Sequence, residues 1–292
     1  NLSHDHLDYH GSMEAYFQAK SRLFRWPDLK VAAVNQDDVW GRRLTPKAAA
    51  LYAYGFSPEA TIRGQGLRLL SDGLRFDVET PWGPLVVESR LLGTFNASNL
   101  LAVIATLLGM GVPLKELGAL LPSLSPVQGR MNRLGGGSQP LVVVDYAHTP
   151  DALEQALTSL RAHVTGRLIL VFGCGGERDR AKRPLMGAIA ARLADAVIVT
   201  DDNPRSEDGD RIVAEILEGV VDRRRVEVER DRALAIHQAV REASVGDLVL
   251  IAGKGHEATQ ESGGVQFPFD DTELARDALA IRDGHWSDGV VT

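Results

Sequence analysis

The chain has a single cysteine, Cys174, among 292 residues. One thiol excludes an intrachain disulfide framework and suits a reducing compartment, so the expected location is the cytoplasm. No apolar run is long enough to span a bilayer, and no signal peptide is visible. Basic charge is also short: the formal net charge is -7. That argues against non-specific nucleic-acid binding, which needs a basic face, but not against anionic ligands held by a few local Arg and Lys residues. There is no internal repeat and no low-complexity segment. An initiator Met is missing too. The sequence opens Asn1-Leu2-Ser3 and runs straight into the polar cluster His4 to His10, so it is expected to be truncated at its amino terminus.

The composition is globular, 44% hydrophobic and 24% charged, and the length suits two domains. Apolar spacing over Glu14 to Phe24 predicts a short helix. Val31 to Val34 reads as a buried strand that ends in the polar turn Asn35-Gln-Asp-Asp38. The alternating segments Leu74 to Glu79 and Leu85 to Ser89, joined by Pro81-Trp-Gly-Pro84, predict a hairpin. A strong helix covers Asn96 to Met110, and a shorter one follows Val112. The pattern then breaks at Pro122-Ser-Leu-Ser-Pro126, Gly129 and the Gly135-Gly-Gly-Ser138 turn, which places a boundary between domains 1–124 and 125–292.

Beyond the break, strands and helices alternate. Strands are expected at Leu141 to Asp145, Arg167 to Phe172, Ala196 to Thr200 and Asp247 to Ala252. Helices are expected at Pro150 to His163, Lys182 to Leu193, Gly209 to Gly219 and Asp231 to Ala243. Near-continuous Val/Ile/Leu strands between amphipathic helices mean an α/β fold, with a mostly parallel sheet covered on both faces. Ligands collect at the carboxyl ends of such strands. Four of those ends are unusually polar: Asp145-Tyr-Ala-His148, Gly173-Cys-Gly-Gly-Glu-Arg-Asp-Arg180, Asp201-Asp-Asn-Pro-Arg205 and Gly253-Lys-Gly-His-Glu257. One polar turn means little. Four on one edge point to a common ligand site.

The glycine-rich turn after Phe172 fails the dinucleotide spacing G-x-G-x-x-G. Arg178, Arg180, Lys182 and Arg183 near a helix start suit anion binding, or equally a solvated helix face. An Arg on the stiff turn before Ser206 suits a bidentate grip on a carboxylate, and Glu257 suits an ammonium. His4, Asp5, His6, Asp8 and His10 have the donors for a divalent metal, although such runs are more often solvated loops or caps. Lys20 alone reads as an ordinary helix-surface lysine.

Taken in order, His4 to Gly11, Ala19-Lys-Ser-Arg-Leu-Phe24, Asn96-x-x-Asn99, Gly129-Arg-Met131, Asp145 to Pro150, Gly173 to Asp179, Asp202-Asn-Pro-Arg205 and Gly253 to Glu257 resemble the Mur ligases. The resemblance covers essentially the whole chain. Within the family it is most similar to the members that add meso-2,6-diaminopimelate, and Asp202-Asn-Pro-Arg205 is the motif by which lysine-adding members differ. The resemblance implies the remainder of a central ATPase domain followed by a Rossmann-like carboxy-terminal domain. It implies cytoplasmic peptidoglycan precursor synthesis by a monomer. ATP would phosphorylate the carboxylate of UDP-N-acetylmuramoyl-L-alanyl-D-glutamate, and the diaminopimelate amine would attack the acyl phosphate.

The same resemblance assigns roles to residues. His6 becomes a metal ligand, and Lys20 a carbamylated lysine that helps bind Mg²⁺. Both are expected to serve catalysis by stabilising phosphoryl charge. Asn96, Asn99, Arg130, Asp145, Tyr146, His148 and Lys182 become ATP contacts. Arg178, Asp202, Asn203, Arg205, Gly253 and Glu257 become the diaminopimelate pocket. One departure is plain: no G-x-x-x-x-G-K-[ST] phosphate loop occurs, so the 292 residues alone are expected to be inactive. A folylpolyglutamate synthase-like ligase, or a non-catalytic Rossmann-like binding module, stands as the alternative.

Overall fold

The computed structural model describes residue 2 and residues 7–70, 73–126 and 129–284. The chain divides into two compact units, Asn1–Ser125 and Pro126–Thr292.

The first unit begins with two short helices, α1 (Leu7–His10) and α2 (Met13–Ser21), and a 3₁₀ turn at Leu23–Arg25. The sequence predicted one helix through Phe24. Its regular part stops at Ser21, and the tighter turn takes over. Strand β1 (Val31–Asn35) follows, then the one-turn helix α3 (Val39–Arg42) and strands β2 (Ala50–Gly55), β3 (Ile62–Leu70), β4 (Gly73–Thr80) and β5 (Gly83–Ser89). They form a sheet in the order β1-β2-β3-β4-β5, parallel from β1 to β3 and antiparallel beyond. The expected hairpin is β4–β5, closed at Thr80 and Gly83. Helix α4 (Thr94–Gly109) buries Ala97, Leu100, Leu101, Ile104 and Leu108 in one cluster with Ile62, Phe76, Val78 and Val87. That i, i+3, i+4 spacing is why this stretch is helical and faces the sheet. Helix α5 (Leu114–Leu120) adds Leu117 to the same cluster.

The second unit runs β6 (Asn132–Gly135), β7 (Leu141–Asp145), α6 (Pro150–Arg161), β8 (Leu168–Phe172), α7 (Lys182–Leu193), β9 (Ala196–Val199) and α8 (Gly209–Glu218). It continues with β10 (Val226–Val228), α9 (Arg232–Glu242), β11 (Leu248–Ala252), the hairpin β12 (Thr259–Ser262) and β13 (Val265–Pro268), and α10 (Asp271–Arg282). The main sheet has the order β10-β9-β8-β11-β7-β6, and only β6 is antiparallel to its neighbour. Every residue of β7, β8 and β11 is buried, the signature of strands covered on both faces. Helices α9 and α10 share one core cluster with Val142, Ile169, Ile198 and Val249, while α6, α7 and α8 pack side by side. Each fully buried Leu or Ile in this core contributes roughly 1.5–3 kcal/mol relative to exposure.

This topology positions the site. The loops after β7 and β8 lead into α6 and α7, whereas the chain leaving β11, which lies between β7 and β8, leads on to α10. Neighbouring strands whose connections part in this way leave a crevice at their carboxyl ends. Among the described residues, no helix is long and apolar enough to cross a membrane.

Candidate functional site

The four polar strand ends of the second unit meet there. A pocket of about 350 Å³ is lined by Tyr146 and His148 after β7, by Gly173, Arg178 and Lys182 around the start of α7, by Asp202, Asn203 and Arg205 after β9, and by Gly253 and Glu257 after β11. It thus gathers three of the residues expected to contact ATP and all six of those expected to contact the amino acid. Asp145 and Arg130 are not part of this lining; Asp145 is buried and Arg130 is exposed. Asp145 accepts from the main-chain N–H of Met131 at 2.8 Å and of Ala147 at 2.9 Å, so it ties β7 to the segment before β6. Burial pushes its carboxyl up, against those two donors and Arg130. Arg130 lies over the Tyr146 ring at 4.9 Å, and His148 and His256 pack on the same ring at 4.5 and 5.2 Å. The rings meet at 64° and 38°, and together with the Arg130 guanidinium they offer π faces and a cation that suit a planar ligand.

Glycine lets the turns approach one another. A Cβ on Gly176 would collide with the Pro204 carbonyl oxygen, and one on Gly253 would lie 2.5 Å from Asp202 Oδ2. Gly253 also has a φ of +121°, a conformation that favours glycine. Arg205 sits at φ +56°, which is uncommon for a non-glycine residue. The hairpin holds it there: Arg205 N–H donates to Glu261 O at 3.0 Å, and Gly263 N–H donates to Arg205 O at 2.7 Å. Its guanidinium donates from Nη1 to Gly176 O at 2.7 Å, and Nε lies 3.5 Å from Glu261.

The charges under the pocket are internal. Arg232 and Asp271, both fully buried, form a bidentate pair at 2.8 and 2.7 Å, and Arg232 also donates to Ala252 O at 3.1 Å. Asp202 is 9% exposed; burial raises its pKa, opposed by Arg232 and Lys254. Lys182 donates to His148 O at 2.7 Å, which links the α7 start to the β7 end. Cys174 is a packing group. Burial pushes its thiol up to about 12, and its Sγ lies 3.7 Å from Met186 Sδ.

The stretch Arg178 to Arg183 divides in a way the sequence reading did not anticipate. Arg178 is exposed and lines the pocket. Arg183 has no exposed surface, so it is not on a solvated face; its guanidinium is spent on Glu207 at 2.8 Å, Glu215 at 2.7 Å and Gly175 O at 3.1 Å. Arg180 pairs with Glu215. Arg183 is therefore not available to a ligand anion, whereas Arg180 is half-exposed and shares Glu215 with it.

In the first unit, Lys20 is exposed on α2 with its ammonium 5.6 Å from the Tyr16 ring centroid. Asn96 donates to Leu92 O at 2.8 Å and accepts from Asn99 at 3.2 Å; Asn99 is exposed. His6 lies outside the described residues, as do His4 and Asp5. His10 stacks on Tyr16 with ring centroids 4.7 Å apart. Among the described residues, no group of three or more His, Cys, Asp or Glu side chains is placed to hold a metal ion.

Sequence reasoning missed the structural roles of Lys254, Arg232 and the β12–β13 hairpin. Gly263-Gly264 between two short runs was a usable hairpin signal. A buried lysine or arginine leaves no such mark.

Two family models match the chain: the Mur ligase middle domain over residues 1–107, and the Mur ligase, glutamate ligase domain over residues 129–255. A Xylella fastidiosa protein named UDP-N-acetylmuramoyl-L-alanyl-D-glutamate–2,6-diaminopimelate ligase is 54% identical over 286 residues, covering 96% of this chain and 58% of the relative. A Chromobacterium violaceum protein of the same name is 50% identical over 285 residues, covering 96% and 57%. A solved structure of a ligase of that name superposes with a TM-score of 0.74 at 42% identity, covering 97% of this chain and 59% of that one. The chain therefore spans a little under three-fifths of the length of these relatives.

Proposed function

The chain belongs to the Mur ligase family, and we propose that it supplies the acceptor side of an ATP-dependent ligase adding meso-2,6-diaminopimelate to UDP-N-acetylmuramoyl-L-alanyl-D-glutamate. The observation that carries this reading is the pocket at the sheet edge, where Arg178 and Arg205 stand with Glu257 and Asp202. Diaminopimelate carries two carboxylates and two amines. Cations in a pocket recognise the carboxylates, with Arg205 suited to a forked grip. Glu257 accepts from an ammonium. Tyr146, His148 and Arg130 would hold the flat base of ATP, with Asp145 fixing their loop and Lys182 near phosphate. The names of the relatives favour this acceptor over the glutamate of a folylpolyglutamate synthase-like enzyme.

In the proposed reaction the dipeptide carboxylate is activated as an acyl phosphate, and the amine displaces phosphate to form the amide. Arg205 and Glu257 orient the acceptor, so that the attacking amine is delivered at high effective concentration. In the first unit, Asn96 and Asn99 would contact the nucleotide. Lys20 has an exposed amine that suits carbamylation, and with His6 it would hold Mg²⁺. The ion's contribution when bound is to neutralise charge on phosphoryl oxygens. The reading is of a monomer acting in the cytoplasm, with the 292 residues alone binding the amino acid but not joining it.

The test is amide formation and ATP hydrolysis by a full-length ligase carrying these residues, with diaminopimelate, lysine and glutamate compared as acceptors. A higher kcat/KM for diaminopimelate is expected, and preference for another acceptor overturns the reading. Ligation by the 292 residues alone would overturn the division of labour. Tight NAD binding without amino-acid binding would favour a non-catalytic module.

A further inference from the structure

Lys254 lies just past the end of β11 with no exposed surface. Its ammonium donates to Asn203 Oδ1 at 2.9 Å and to Glu257 Oε2 at 3.3 Å. An ammonium only donates, so the amide oxygen of Asn203 must face it. The amide nitrogen then faces Glu257, and Nδ2 donates to Oε2 at 2.9 Å. A carboxylate only accepts, so this contact demands the same amide orientation. The Glu261 main-chain N–H, 3.0 Å from Asn203 Oδ1, is a third constraint in the same sense. Glu257 Oε2 is therefore held by two donors from within the protein. Among the described residues, no donor reaches Oε1, and Glu257 lines the pocket. Lys254 also offsets two carboxylates that repel each other, Glu257 and the buried Asp202.

We propose that Lys254 is a positioning residue for the acceptor's ammonium group. It fixes the Asn203 amide and one oxygen of Glu257, so that the other oxygen is left to receive the ligand's N–H. The inference rests on the acceptor reading given above and deepens it. Lys254 does not touch the acceptor; it acts through Asn203 and Glu257. Without it, Glu257 loses a charged donor and gains freedom to turn, and the neighbouring carboxylate charge is no longer balanced.

The test is Lys254→Met, which keeps the buried stem and removes the charge, made in a full-length ligase. The KM for diaminopimelate is expected to rise about tenfold or more, the scale of one charge-assisted hydrogen bond. The KM for ATP and kcat should stay within about threefold. An unchanged diaminopimelate KM, or a parallel rise in the KM for ATP, overturns the proposal. If Lys254→Met does not fold, Lys254→Gln decides the matter. It removes the ammonium but keeps a neutral donor in the same space, and should raise the KM for diaminopimelate without raising that for ATP. If the unaltered enzyme uses lysine in place of diaminopimelate, the acceptor reading fails. The Lys254 inference is then settled by the KM for lysine, which also has two amines. A preferred acceptor with a single amine overturns both.

Discussion

The two units hold their candidate groups in opposite ways. In Asn1–Ser125, Asn96 and Asn99 are bonded to partners three or four residues away, at or just before the start of one helix, and among the described residues Lys20 meets the ring one turn behind it. In Pro126–Thr292, Asn203 is bonded to Glu257 fifty-four residues on, Arg205 to Gly176 twenty-nine residues back, and Lys254 to Asn203 across fifty-one. Local bonding lets a residue be replaced without disturbing its neighbours. A network that joins three strand ends passes the damage on, because each member fixes the orientation of the next.

The sharpest break in that contrast should come beneath the pocket. Asp271→Ala leaves Arg232 buried without its carboxylate and should cost roughly 3–5 kcal/mol, read by urea unfolding of the chain. The double replacement Arg232→Met with Asp271→Leu should cost much less, since no buried charge is stranded. If the single change costs no more than a surface substitution, the network is not what holds the strand ends together.

Next in size is Arg205→Lys. A point charge cannot keep the contact with Gly176 O and also fork onto a carboxylate. The KM for diaminopimelate in a full-length ligase should rise about tenfold. An unchanged KM would count against Arg205 as the carboxylate anchor.

A smaller effect is expected with pH. The Arg183 guanidinium, followed by the Glu177 main-chain N–H, lowers the Glu207 pKa from 4.5 to about 2. A carboxyl lowered on folding stabilises the native state above its unfolded value, and that stabilisation is lost as pH falls through the folded one. Melting temperature should therefore decline between about pH 4.5 and pH 2. Glu207→Gln should flatten that decline and lower stability at neutral pH. An identical slope in the variant would remove Glu207 from the account.

The same contrast explains what the sequence disclosed. β7, β8 and β11 were legible because burial on both faces demands unbroken apolar runs, and their polar ends then marked the pocket. β3 was not, since Gly64 and Gly66 and a register shift between Gln65 and Arg68 interrupt its alternation. β12 and β13 bury little, so no period appears. The burial of Arg183 and Arg232 left no mark in the sequence, because composition is blind to a carboxylate that arrives from twenty-four to thirty-nine residues away. The motifs named the residues that line the pocket. The residues that orient them became visible only through their bonds.

The smallest effect should be that of Asn99→Ala. Asn99 is exposed on α4, and its side-chain bond to Asn96 is long, at 3.2 Å. Alanine is the better helix former, so the lost bond and the gained propensity nearly cancel, leaving a change within about 0.5 kcal/mol. Chemical unfolding of the chain checks this. If Asn99 contacts the nucleotide as proposed, the KM for ATP should still rise in a full-length ligase, with the KM for diaminopimelate unmoved. A residue whose loss costs affinity but no stability is held in readiness by its helix alone. Lys254, by contrast, should move the acceptor KM because it is bonded into everything around it. Asn99→Ala therefore probes the local arrangement where it is simplest: a stability loss well above about 0.5 kcal/mol would mean that the first unit too is networked, and the contrast between the units would fall.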